Sequence, residues 1–240
     1  MPIRLCDRNP QVPTERLLAE LVPPPRFAGV SFDSYRPDPA QPSQHEAVAV
    51  LRDFAQDLNR PVPKPSWWSS LTRPRHAPEP AGPGGVYLDG GYGVGKTHLL
   101  ASLWHASPSP KLFATFVELT NLVGALGFHE AVAALSSYRL VCVDEFELDD
   151  PGDTVLISTL LRNLREHGVR LAATSNTLPG KLGEGRFATD DFLREIQGLA
   201  ASFESVRIDG EDYRHRGLPD APTAPDLDLV KQRADADGAS

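Results

Sequence analysis

Residues 90–97 read GGYGVGKT, a run whose residue types and spacing suit holding the phosphates of a nucleotide. Gly90, Gly91, Gly93 and Gly95 permit positive φ and carry no Cβ to obstruct an anion. Consecutive N–H groups then converge on the phosphate, and the following helix N-terminus adds partial positive charge. Lys96 has the reach for the β- and γ-phosphates, and Thr97 can offer its hydroxyl to Mg²⁺. The apolar run Val86–Leu88 precedes the loop and a helical run, Thr97–His105, follows it, which is the strand–loop–helix context the chemistry needs. The candidate nucleotide-binding residues are Gly90, Gly91, Tyr92, Gly93, Val94, Gly95, Lys96, Thr97 and His98. The imidazole of His98 reads as a packing or surface group rather than a metal ligand. The bland alternative is a glycine-rich turn matched by chance.

Hydrolysis needs acids as well as a cradle. Residues 139–145 read RLVCVDE. Leu140–Val143 is continuously apolar, as a strand buried on both faces of a parallel sheet is. Asp144 then stands at the strand's carboxyl end, where open α/β sheets bind ligands, and is the candidate Mg²⁺ ligand beside Thr97. Glu145 points differently and is the candidate to orient or deprotonate the attacking water. The alternative is an ordinary strand end with two solvated acids. A further strand, Val169–Ala173, ends in Thr174-Ser175-Asn176. Asn176 at that position can contact the γ-phosphate or the lytic water, the role called sensor 1 in AAA+ ATPases. The alternative for Asn176 is an Asx-turn before Pro179.

Those residues need a scaffold, and the chain supplies one. It has 240 residues, 40% hydrophobic and 23% charged, ordinary for a soluble globular domain. The net charge of −8 disfavours non-specific nucleic-acid binding. No apolar stretch approaches a membrane span, and no signal-peptide core begins the chain, so a cytoplasmic protein is expected. Of the two cysteines, Cys142 falls in the acid-bearing strand as a small buried hydrophobe and Cys6 near the N-terminus, so no disulfide is expected. The seven histidines show no metal-ligand spacing.

From Val86 strands and helices alternate. Strands are expected at Val86–Leu88, Leu112–Val117, Leu140–Val143, Val169–Thr174 and Ser205–Ile208. Helices are expected at Thr97–His105, Leu119–Leu126, Phe128–Leu135, Thr154–His167 (capped by Gly168) and Asp190–Ala201. The alternation predicts an α/β core, a five-stranded parallel sheet flanked by helices on both faces, and the phosphate loop makes it a P-loop NTPase fold. Residues 1–58 form an N-terminal arm with a short helix at Thr14–Leu21, aromatics Phe27, Phe32 and Tyr35 lashing it to the core, and an amphipathic helix at Gln44–Leu58. Residues 59–85 are a Pro-rich linker or insertion carrying Trp67 and Trp68 among Arg60, Lys64, Arg73 and Arg75. It reads as an insertion with tucked tryptophans; a partner-binding or strand-stacking segment is the alternative. Residues 86–216 are the ATPase core, and 217–240 a disordered tail.

Five segments carry a more specific likeness: SFDSYRPD (31–38), GVYLDGGYGVGKTHLL (85–100), LVCVDEFELDDPGDTVLISTLLRNL (140–164), LAATSNTLP (171–179) and DYR (212–214). Through them the chain resembles the ZapE family of AAA+ ATPases. The resemblance implies ATP rather than GTP, phosphate binding by Gly90–Thr97, Mg²⁺ and water handling by Asp144 and Glu145, and sensing by Asn176. It also implies homo-oligomers and protein partners, in bacteria the division ring and its FtsZ polymer. Family members place an Arg shortly before an FLP segment after sensor 1; here the stretch reads RFATDDFLREI and the aligned position is Thr189. Arg186 is the candidate arginine finger across a subunit interface, with Arg194 the runner-up. Many relatives continue well past DYR, so a missing or reduced C-terminal lid and second sensor are expected here. Two other functions stay open: a DNA-associated ATPase of the helicase-loader or initiator kind, and a scaffold that nucleotide switches with little turnover.

Overall fold

Strand residues alternate between two hydrophobic cores, and that alternation builds the molecule. The computed structural model describes residues 13–60, 84–147, 150–177, 198, 201 and 203–213. Five strands, β1 (Gly85–Gly90), β2 (Lys111–Thr115), β3 (Leu140–Asp144), β4 (Arg170–Ser175) and β5 (Phe203–Ile208), form one parallel sheet ordered β2-β3-β4-β1-β5. The expected five-stranded parallel sheet is therefore present. Side chains of successive strand residues point to opposite faces. Tyr87, Val141, Val143, Leu171 and Ala173 enter one core with α4 (Phe116–Leu126), α5 (Phe128–Leu135) and α6 (Pro151–Glu166). Val86, Leu88, Leu140, Cys142, Ala172, Val206 and Ile208 enter the other with α2 (Pro42–Asn59) and α3 (Lys96–Ala106). Each face of the sheet is thus covered by helices, which is why β1 and β3 are buried at every position.

The arm is organised as expected. Helix α1 (Thr14–Ala19) precedes a 3₁₀ turn at Pro25–Phe27. Phe27 and Phe32 pack against the α2/α3 core and Tyr35 is buried in it. On α2, Ala47, Leu51, Phe54, Ala55 and Leu58 are buried, the stripe that the helical spacing predicts.

Several boundaries differ from expectation: α1 ends at Ala19 rather than Leu21, α2 begins at Pro42 rather than Gln44, and two larger shifts occur at helix caps. The strand expected over Leu112–Val117 ends at Thr115, and Phe116 and Val117 open α4. Thr115 closes a capping box: its hydroxyl accepts the Glu118 N–H, and the Glu118 carboxylate accepts the Thr115 N–H at 2.7 Å. That reciprocal cap outweighs the strand preference of Phe and Val. The helix expected from Thr154 begins at Pro151, because Asp150 caps it through the Asp153 N–H at 3.0 Å and proline suits the first helical position. Its other end matches expectation. Gly168, at φ 84°, gives its N–H to Arg165 O, and Val169 gives its own to Leu164 O. The expected helix at Asp190–Ala201 lies outside the described residues apart from 198 and 201, as do residues 61–83 of the Pro-rich segment, Cys6 and the tail.

Candidate functional site

The sheet order sets β3, β4 and β1 side by side, so three carboxyl ends open onto one place. β1 leads into the glycine loop, β3 delivers Asp144 and Glu145, and β4 delivers Thr174, Ser175 and Asn176. A cavity of about 450 Å³ lies over these ends. Its walls include Tyr92, Gly93, Gly95, Lys96, Thr97, His98, Asp144, Glu145 and Asn176, so most residues expected from the sequence meet there.

The loop's glycines divide their labour. Gly93 and Gly95 have φ of 70° and 94°, as expected. Gly90 and Gly91 are not among the positive-φ residues, which corrects the expectation for them. Gly90 is required instead for close approach, since a Cβ there would lie 2.3 Å from Ile208 O of β5. Gly95 is the N-cap of α3 and supplies no side-chain cap, so the helix's first N–H groups are left for an anion.

Lys96 is buried, and its ammonium donates to Gly90 O (2.9 Å), Gly91 O (2.7 Å) and Asn176 Oδ1 (2.9 Å). The Lys96 amine and the Asn176 side chain therefore touch across the strand ends. Burial pulls the Lys96 pKa down from its ordinary value, against the opposing pull of Asp144, Glu147 and Asp89. Asp144 Oδ1 accepts the hydroxyls of Thr174 (2.5 Å) and Thr97 (3.1 Å). Burial pushes its pKa up, partly offset by those bonds. A carboxylate and a hydroxyl gathered on one spot form a hard oxygen donor set, which suits Mg²⁺. Thr97 and Asp144 would hold the ion, which when bound would neutralise phosphate charge.

Glu145 is exposed at the cavity and has φ 55°, a left-handed conformation rare for a residue with a Cβ. Its N–H donates to Thr174 Oγ1 (3.0 Å) and the next N–H, of Phe146, to Thr174 O (2.7 Å). Those two bonds and the buried Phe146 ring stabilise the left-handed turn, and Glu145 lines the cavity beside Asp144, Thr97 and Thr174. His98 lines the cavity: its Nε2 pairs with Ser34 Oγ (2.9 Å), and its ring meets Tyr35 edge-on.

Sequence reasoning missed several residues here. Tyr35 donates its hydroxyl to Val94 O (2.8 Å), and its ring fills the space a Cβ on Gly95 would need. The Tyr213 N–H donates to Gly93 O (2.8 Å). Two successive loop carbonyls are thus held from outside, by the arm and by the segment after β5. Gln44 and Ser43 of α2 bind the backbone of Asp209 and so tie those two segments together. Arg26, Phe27, Arg36, Tyr35 and Tyr213 line the rest of the cavity. Thr174 and Glu147 were also unforeseen, although both lie inside quoted motifs. Arg186 and Arg194 lie outside the described residues.

Comparisons with known proteins agree with this geometry. The chain is 29% identical over 211 residues to the cell division protein ZapE of Escherichia coli K12, covering 78% of this chain and 54% of that protein. It is 29% identical over 155 residues to an uncharacterised protein of Schizosaccharomyces pombe, covering 57% of this chain and 34% of that one. The chain thus spans about half the length, or less, of these curated relatives. Among solved structures, domain III of the Thermotoga maritima replication initiation protein DnaA matches with a TM-score of 0.55 at 16% identity, over 80% of this chain and 71% of that one. DnaI matches with a TM-score of 0.56 at 16% identity, over 82% and 98%. At such identity the likeness shows the fold alone, a parallel sheet flanked by helices. The family model for AFG1-like ATPases matches residues 11–236, and the chain belongs to that family.

Proposed function

We propose that this chain is a Mg²⁺-dependent ATPase that hydrolyses ATP to ADP and phosphate and acts on protein partners in cell division. The observation that carries the chemistry is one cluster. The Lys96 ammonium stands at an uncapped helix N-terminus, within the same cavity as a hydroxyl-bound Asp144 and an exposed Glu145.

The loop N–H groups and Lys96 would grip the triphosphate and stabilise charge spreading onto the γ-phosphoryl oxygens. Glu145 would orient the water and take its proton. Asn176, already against Lys96, would contact the γ-phosphate or that water. The nucleoside would extend toward Tyr35, Arg36 and Tyr213, which line the rest of the cavity. Arg186 of a second copy is the proposed arginine finger, with Arg194 the runner-up, so a homo-oligomer is the working state. The division setting is supported by the likeness to a protein named for cell division, and FtsZ is the partner that the resemblance implies. Nucleic acid has no place in this reading, in keeping with the net charge of −8. A cytoplasmic location is proposed with it; no described helix is long and apolar enough to cross a membrane.

Steady-state phosphate release at several protein concentrations tests the reading. Turnover should require Mg²⁺, rise per subunit with concentration, and fall at least about 100-fold in Glu145→Gln protein. Equal turnover in that variant removes Glu145 from the mechanism.

A further inference from the structure

We propose that Glu147 is a positioning residue for the γ-phosphate end of the site, acting through Asn176; the inference rests on the ATPase reading above. Three donors at the end of β4 and in the loop just past it converge on this one carboxylate. Oε1 accepts the Asn176 N–H at 2.8 Å and the Ser175 hydroxyl at 3.1 Å, and Oε2 accepts the Thr177 hydroxyl at 3.3 Å. The loop is braced further by Thr177 N–H on Ser175 Oγ (2.9 Å) and by the Tyr87 hydroxyl on Thr177 O (2.8 Å).

The backbone N–H of Asn176 lies just past the last residue of β4, where the strand ladder ends. Glu147 supplies the acceptor that a neighbouring strand would otherwise give. With its backbone held, Asn176 sends its side chain the other way, where Oδ1 accepts from the Lys96 ammonium. Glu147 therefore fixes the origin of the side chain that bonds Lys96 in the phosphate cradle.

The left-handed Glu145 explains how two acids two residues apart divide these jobs. The turn at φ 55°, with the Glu147 N–H on Glu145 O at 2.8 Å, leaves Glu145 at the cavity and returns Glu147 to the exit of β4. One acid faces the solvent to be activated, and the other holds the residue that reads the γ-phosphate. Glu147 is not itself a catalytic residue.

The test uses the full chain carrying Glu147→Ala, Glu147→Gln, Asn176→Ala and the Glu147→Ala/Asn176→Ala pair. Without nucleotide, Glu147→Ala should speed amide hydrogen exchange at residues 175–177, because the Asn176 N–H loses its acceptor. In MgATP turnover it should lower kcat by about tenfold with KM within about twofold, the signature of an interaction that matters in the transition state. Glu147→Gln, which keeps an acceptor oxygen, should restore part of the rate. In the Asn176→Ala background, Glu147→Ala should cost less than about twofold more. Unchanged exchange in Glu147→Ala, or costs that multiply in the double variant, overturns the proposal. So does a parallel fall of kcat, affinity and melting temperature that Gln does not relieve. If wild-type protein shows no turnover above Glu145→Gln, the ATPase reading fails, and the exchange measurement, made without nucleotide, still decides whether Glu147 holds Asn176.

Discussion

Replacing Gly95 by alanine probes the junction of arm and phosphate loop. Gly95 sits at φ 94°, where an L side chain is strained, and its Cβ would come 2.6 Å from Tyr35 Cε2. The backbone strain costs roughly 1–2 kcal/mol. The ring must also move, which breaks the bond from Tyr35 Oη to Val94 O, worth about 1 kcal/mol. The total of about 2–3 kcal/mol corresponds to a melting point lowered by roughly 5–10 °C for a domain of this size. Scanning calorimetry of the nucleotide-free protein reads it directly. A second variant separates the two contributions. In a Tyr35→Ala background the ring is gone, and Gly95→Ala should cost only the roughly 1–2 kcal/mol of backbone strain. A Gly95→Ala protein melting within about 2 °C of wild type refutes the clash. Strict additivity with Tyr35→Ala refutes the contact between ring and loop.

Two further outcomes follow from the same geometry. Thr115→Ala removes the capping box of α4 and should cost about 1 kcal/mol in chemical denaturation while leaving MgATP affinity unchanged. Asp144→Asn keeps an acceptor for Thr97 and Thr174 and removes a buried charge, and Lys96 retains its three hydrogen bonds to carbonyl oxygens. The nucleotide-free variant should therefore be more stable than wild type near neutral pH, by on the order of 1 kcal/mol, though it binds Mg²⁺ poorly. The sign with pH is fixed by the raised Asp144 pKa. On acidification the folded protein takes up this proton before the unfolded chain does. Wild-type stability then gains on the variant as pH falls from the raised value toward the ordinary carboxylate range. An advantage of the variant that grows on acidification contradicts the assignment.

That the glycine loop, Asp144, Glu145 and Asn176 stand at strand ends could be read from sequence because each pattern is local. A fixed spacing of Gly, Lys and Thr, or an apolar run ending in Asp, needs only neighbours along the chain. The order of elements then implied that three strand ends meet. Tyr35 and Tyr213 could not be found that way, for they approach the loop from segments about sixty residues before it and over a hundred after it. No local pattern marks a phenol that will bond a carbonyl in another element. Thr174 and Glu147 were hidden differently. Both stood in quoted motifs, but their partners lie across strands whose register the sequence does not print. The overrun of β2 into Phe116 and Val117 was avoidable, since the Thr-x-x-Glu cap was legible at Thr115 and Glu118. The same holds for Asp150-Pro151 at the start of α6. In both places the cap, not the apolar or β-branched residue beside it, sets the boundary.

The central claim is that the buried Lys96 ammonium and the amides around it grip a triphosphate. Calorimetric titration of MgATP into nucleotide-free wild-type and Lys96→Ala protein tests it most directly. The account predicts saturable binding to wild type, weakened at least about tenfold by the substitution, as loss of a charged hydrogen-bond donor implies. Absence of binding to wild type, or equal affinity in the two proteins, would contradict it.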